Sequence, residues 1–128
     1  MDKEVYCILV CGGRDYDNRE KLFEMLEQSL QAVTLAGRSF TLVHGGAAGA
    51  DSLSDEWATN RKICNEGGVV KVYKADWQTH GRAAGPIRNI KMLTESKPDL
   101  IIAFKGGRGT AHMMQIGKAA GVPILEVN

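Results

Sequence analysis

The sequence predicts an α/β protein: one doubly wound domain of about five parallel strands with helices on both faces. Three observations carry that expectation. Short apolar runs alternate along the chain with longer segments of helical periodicity. The runs are nearly continuous in apolar residues, as strands buried on both faces require. Finally, four glycine-rich turns follow the runs: Cys11–Asp15, His44–Asp51, His80–Asn89 and Lys105–Thr110. In an open parallel sheet such turns gather beyond the carboxyl ends of the strands, where ligands bind.

The elements follow in order. Val5–Val10 is the first strand. From Asn18 to Ala36, Leu22, Met25, Leu26, Leu30 and Val33 recur at helical spacing, with Asp17 or Asn18 as the cap and Gly37 as the stop. Thr41–Val43 is the second strand, and a helix from about Gly49 to Arg61 presents Ala50, Leu53, Trp57 and Ala58 on one face. Glu66-Gly67-Gly68 is a turn before the third strand, Val69–Tyr73. Lys74–Ala84 reads as a loop, longer than compact α/β units usually need. Pro86 then takes the first position of a helix running to about Ser96, since its missing N–H is not needed there. Leu100–Phe104 is the fourth strand. Thr110 caps a helix to Ala120, Gly121 ends it, and Val122–Val127 is the last strand, placed at a sheet edge by Pro123.

Composition narrows the function classes. At 128 residues and 44% hydrophobic, the chain suffices for one domain with a proper core. A formal net charge of +1 argues against a nucleic-acid partner or a polybasic membrane surface. The amino-terminal apolar run lacks a signal-peptide pattern and nothing is long enough to span a bilayer, so a cytosolic protein is expected. Its three cysteines are an odd number, and Cys7 and Cys11 are one residue too far apart for a CxxC pair. Thiols in a reducing compartment follow. No histidine, cysteine or acidic cluster has metal-ligand spacing, and neither a metal nor a cofactor is expected.

The cations are unevenly placed: Arg14, Arg82, Arg88, Lys105 and Arg108 all fall in the glycine-rich turns. They are either solvated loop charges or one anion-binding rim. Gly106-Gly107-Arg108-Gly109-Thr110 is the sharpest motif, because successive amides and a helix start converge beside a forked cation. Gly45-Gly46-Ala47-Ala48-Gly49-Ala50-Asp51 joins strand to helix through small residues, as close backbone approach to a ligand demands. It matches neither GxGxxG nor the P-loop pattern. Asp51 would repel a phosphate, so it either caps the helix and ties the loop amides or binds ribose hydroxyls. His80 opens a run that supplies Arg82, Arg88 and Asn89 around another helix start. Trp77 and Tyr16 either pack or stack on a base. His44 and His112 are either acid–base groups or plain hydrogen-bonding residues, and no carboxylate partner lies at a readable spacing.

These blocks, with Ala75-Asp76-Trp77 between the second and third, resemble the YspA-like branch of the SLOG superfamily, in order and over nearly the whole chain. The resemblance implies a Rossmann-like fold whose pocket takes nucleotides or nucleotide-derived ligands, ADP-ribose-like molecules included. It also implies a part in sensing or processing such signals in prokaryotic conflict systems, phage counter-defence among them. The related LOG enzymes, phosphoribohydrolases that cut the base from a nucleoside monophosphate, carry a PGGxGTxxE motif whose glutamate assists catalysis. Here Lys105 stands at the proline's place and Met113 at the glutamate's, with His112 beside it. A methionine can neither stabilise an oxocarbenium-like centre nor activate water.

Two expectations of different class follow. The first is a binder that senses or sequesters a nucleotide-derived small molecule without cleaving it. Gly12, Gly13, Gly45, Gly46, Gly49, Gly106, Gly107 and Gly109 would give backbone contacts, with His44, Trp77, His80 and Thr110 around them. Arg14, Arg82, Arg88 and Arg108 would neutralise phosphate, while Asp51 and Asn89 would hold ribose or the loops. The alternative is an N-glycosidic hydrolase of LOG type, with Asp51, Asp76 or His112 as the replacement acid–base group. Self-association into a homo-oligomer is implied by the LOG resemblance alone.

Overall fold

The computed structural model describes residues 4–128. Five parallel strands form one sheet in the order β3-β2-β1-β4-β5. They are β1 (Val5–Cys11), β2 (Ser39–His44), β3 (Val69–Val72), β4 (Leu100–Phe104) and β5 (Ile124–Val127). Because β1 is flanked by β2 on one side and β4 on the other, the chain reverses its direction of travel across the sheet between them. That reversal opens a crevice beyond the carboxyl ends of β1 and β4, the place where such sheets bind ligands.

Alternation along β1 divides the core in two. Ile8 and Val10 point to one face, where Leu22, Leu26, Leu30 and Val33 of α1 (Arg19–Leu35) and Trp57 and Ala58 of α2 (Ala50–Arg61) cover them. Cys7, Leu9 and Cys11 point to the other, against Met92 and Leu93 of α4 (Ala84–Ser96) and Met113 of α5 (Arg108–Ala119). Each large side chain so buried stabilises by about 1.5–3 kcal/mol. The expected cap of α1 is in place, the Asn18 Oδ1 accepting from the Lys21 N–H at 3.2 Å, and Gly37 leaves the helix at φ +74°. No helix among the described residues is long and apolar enough to cross a membrane.

Five expectations need correction, the simplest being the last strand, which begins at Ile124 rather than Val122. The second strand is longer than Thr41–Val43, because Ser39 and Phe40 pair with Val5 and Tyr6 and extend the ladder. Lys74–Ala84 is not all loop: it contains α3 (Trp77–His80), started by the Asp76 side chain accepting from the Thr79 N–H at 3.1 Å, and a 3-10 turn at Gly81–Ala83. That turn runs straight into α4, so Pro86 is the third residue of its helix rather than the first. Its lack of an N–H is still harmless, since the third amide of a helix has no intrahelical acceptor. Lastly, Thr110 does not cap α5. Gly107 holds the cap position without a side-chain bond, and Thr110 is the third helical residue, buried.

Candidate ligand site

A cavity of about 660 Å³ opens at the crevice between β1 and β4. Its floor is the end of β1 and the turn after it, from Val10 through Gly12 and Gly13 to Asp15. One wall is the first turn of α5, Gly107 to Thr110 with His112. Facing it are Trp77 and Arg82, then Gly85, Pro86, Arg88, Asn89 and Met92 of the α4 segment, with Ala47 and Asp51 between the floor and that wall. Three of the four glycine-rich turns thus border the cavity directly. The β2–α2 turn reaches it mainly through Ala47 and Asp51, because Gly45, Gly46 and Gly49 do not line it.

The reason lies in how that turn is satisfied. Asp51 Oδ2 accepts from the Gly45 N–H at 3.1 Å and the Ala47 N–H at 3.2 Å. His44 Nδ1 accepts from the Gly46 N–H at 3.0 Å, and the Ala50 N–H goes to the Gly13 carbonyl at 3.2 Å. Asp51 therefore ties loop amides. Burial pushes its carboxyl above the ordinary 3.8, while the Ala47 N–H, His44, Arg88 and the Gly45 N–H all pull it back down. Gly49, at φ +76°, lets the turn pass against the turn after β1, and a Cβ there would collide with the Gly13 carbonyl oxygen.

His44 does have a carboxylate partner, contrary to expectation. Its Nε2 lies 2.7 Å from Asp55 Oδ2, one helical turn beyond Asp51 in α2. With Nδ1 accepting from Gly46, the ring proton sits on Nε2 and is donated to Asp55. His44 is buried and holds the loop to the helix; it does not line the cavity.

The α5 turn is built in the opposite way. The Gly13 N–H spends itself on the Lys105 carbonyl at 2.9 Å, locking the β1 and β4 turns side by side, so Gly13 offers shape and no donor. Gly106 sits inside that lock, where a Cβ would run into the Thr110 hydroxyl. The helix then begins with no side-chain cap. The amides of Arg108, Gly109 and Thr110, at the first three helical positions, lack intrahelical acceptors and carry the positive end of the helix dipole. Those three residues border the cavity.

Of the arginines, Arg14, Arg82 and Arg108 are exposed and line the cavity. Arg14 lies over the Trp77 ring, 5.2 Å from its centroid. Arg88 is half-buried and already engaged, donating to the Gly45 carbonyl at 2.7 Å, the Tyr73 carbonyl at 3.3 Å and Asn89 Oδ1 at 2.9 Å. Burial lowers its pKa below the ordinary arginine value; neighbouring Asp51 raises it and Arg14 lowers it further. Arg88 is thus a strut between loops as much as a cavity cation. Asn89, buried, donates to the Gly109 carbonyl at 3.1 Å and sits 3.2 Å from His112 Nδ1.

The remaining candidates fall outside. His80 is exposed on α3, and Asp76 caps that helix. Tyr16 packs on Phe104 with ring centroids 5.1 Å apart, which assigns it to the core. Met113 is fully buried among the side chains beneath α4 and α5. The sequence does not mark Val10, Asp15, Ala47, Gly85, Pro86 or Met92 as site residues, nor Cys11. Cys11 lines the cavity floor, and burial together with the Asp51 charge pushes its thiol up to about 12. No group of histidine, cysteine and acidic side chains among the described residues is arranged to hold a metal ion.

Comparison with known proteins agrees with this architecture. A model of the YspA, cpYpsA-related SLOG family matches residues 6–80. The chain is 33% identical over 120 residues to the gene 61 protein of Mycobacterium phage D29, a match spanning 92% of this chain and 93% of that protein. It is also similar to the X-ray structure of TM1055, a structural genomics target, with a TM-score of 0.61 over 93% of this chain and 72% of the other. At 18% identity that likeness establishes the Rossmann-like fold alone.

Proposed function

The chain belongs to the YspA, cpYpsA-related SLOG family, and from that premise we propose that its cavity binds a nucleotide-derived, phosphate-bearing small molecule and senses or sequesters it in the cytosol. The observation that carries the reading is the uncapped first turn of α5 facing a cavity bordered by Arg14, Arg82 and Arg108. A phosphate there receives backbone N–H donors, a helix dipole and forked cations together. Trp77, about half exposed at the mouth, offers a ring face for a base once Arg14 moves off it. The volume of about 660 Å³ suits a ligand of nucleotide or ADP-ribose size. The relative encoded by a phage supports a setting in phage–bacterium conflict.

A hydrolytic reading rests on Asp51, a carboxylate in the cavity lining. Its Oδ2 is committed to two loop amides, Asp76 caps α3 outside the lining, and Met113 is buried where the LOG motif has its glutamate, so His112 is the other candidate acid–base group in the lining. The test is mass spectrometry of the protein incubated with a panel of nucleoside monophosphates and ADP-ribose, analysing the supernatant and the ligand released on heating. Intact ligand recovered in stoichiometric amount is the expected result. Free base with a ribose phosphate would replace the binder by a hydrolase.

A further inference from the structure

The polar contacts around His112 run in one direction. Arg88 Nε can only donate, and it donates to Asn89 Oδ1 at 2.9 Å. The Gly109 carbonyl can only accept, and it takes a hydrogen from Asn89 Nδ2 at 3.1 Å. These two bonds fix the orientation of the Asn89 amide, because turning it over would set donor against donor and acceptor against acceptor. The second hydrogen on Nδ2 then faces His112 Nδ1 at 3.2 Å. That nitrogen must be the acceptor, so the imidazole proton belongs on Nε2.

Nδ1 is spent on Asn89, and Nε2 takes no protein partner among the described residues, although His112 lines the cavity. We propose that His112 is a specificity-determining donor: the relay from Arg88 through Asn89 locks it as the Nε2–H tautomer, and it selects ligands that place an acceptor, a carbonyl oxygen or an unprotonated ring nitrogen, against that wall. The selection rests on the reading of the cavity as a nucleotide-ligand site; the tautomer does not. A locked Nε2–H also separates His112 from the general-base role, since the lone pair it would need is engaged by Asn89.

The relay is built from a half-buried arginine, a buried asparagine and a carbonyl in the first turn of α5. Its location has a consequence for ligand geometry. His112 follows Gly109 by three residues and Arg108 by four in α5, so its side chain shares a helix face with the first turn, whose amides would hold phosphate. The acceptor it selects therefore lies on the part of the ligand close to the phosphate, and the Trp77 side of the cavity is left to the remainder.

Long-range proton–nitrogen NMR of the unliganded protein reads the tautomer directly, with the His112 signals assigned by their loss in His112→Gln. The expected result is a protonated Nε2 and a bare Nδ1. In Asn89→Asp the acceptor-only carboxylate should reverse this and draw the proton to Nδ1; in Asn89→Leu the two tautomers should average. A wild-type ring protonated on Nδ1, or averaging, overturns the lock. Titration with AMP and with ADP-ribose reads the selection. His112→Leu should weaken whichever probe binds by about tenfold, while His112→Gln, which keeps an N–H donor, should stay within about threefold of the wild type. Equal affinity in His112→Leu overturns the donor role with the site intact. Absence of binding in the wild type overturns the site and the selection together, and the tautomer is then the part that stands or falls alone.

Discussion

The β2–α2 turn and the β4–α5 turn are both rich in glycine and both open a helix, yet they are finished in opposite ways. In the first, Asp51 and His44 absorb the amides of Gly45, Gly46 and Ala47, and the Gly13 carbonyl absorbs that of Ala50. In the second, the amides of Arg108, Gly109 and Thr110 are left to whatever enters the cavity. Small residues serve close packing in the one and ligand approach in the other. Glycine content alone does not distinguish them; the acceptor that follows does. Neither helix has a capping side chain; the carboxylate of Asp51 in the first turn of α2 closes that turn to anions, and the lack of any acidic side chain in the first turn of α5 leaves the other open.

The comparison can be broken most severely at Gly49. Gly49→Ala places a Cβ against the Gly13 carbonyl in a backbone region that other residues avoid, and should cost more than about 4 kcal/mol in a urea unfolding experiment. Unfolding like the wild type would show that the two turns do not depend on that contact. Next in size is Asp51→Ala, which leaves the Gly45 and Ala47 amides unpaired in the interior. A loss of about 3 kcal/mol in the same measurement is expected. A loss below about 1 kcal/mol would mean that water replaces the carboxylate without penalty.

Arg108→Ala belongs to the other class. It should weaken AMP binding, measured by calorimetry, by about 1.5–3 kcal/mol and leave the melting temperature unchanged, because the side chain is exposed at the cavity and holds no part of the fold. Unchanged affinity would remove that side chain from the site. The smallest effect concerns Cys11, at the floor between the two turns. Its thiol is raised from 9.0 to about 12, so between those values the folded state keeps a proton the unfolded state has lost. Stability should therefore fall as pH rises above 9, by about 1 kcal/mol at pH 10, and Cys11→Val should flatten that part of the profile relative to the wild type. Identical slopes in the two proteins would place the thiol in contact with solvent.

Much of the framework was legible in the sequence because it is carried by local signals. The continuous apolar runs of β1 and β4 and the helical spacing of Leu22, Leu26, Leu30 and Val33 predict both the elements and the faces they bury. Short elements were not legible. α3 is a four-residue helix, too brief to show a period. The first two residues of β2 are strand by virtue of pairing with Val5 and Tyr6, which is information held by the sheet.

The candidate site was legible in outline and not in its finish. The sequence places Arg14, Arg82, Arg88 and Arg108 in turns that share one end of the sheet, and the structure brings all four to one cavity. It does not reveal that Arg88 is occupied by the Gly45 and Tyr73 carbonyls, or that His44 finds Asp55 eleven residues away. Those bonds join residues whose proximity is made by the fold. Nor does it reveal that the Gly13 amide is consumed by Lys105, since a free donor and a paired one have the same sequence.

The most direct test of the account is a backbone amide NMR titration of the 15N-labelled protein with AMP. If the α5 turn is the open one, the Arg108, Gly109 and Thr110 resonances move with ligand while those of Gly45 and Gly46, already bonded to Asp51 and His44, stay in place. Movement at Gly45 and Gly46 with Arg108 to Thr110 unmoved would contradict the account, and would make the β2–α2 turn the binding element.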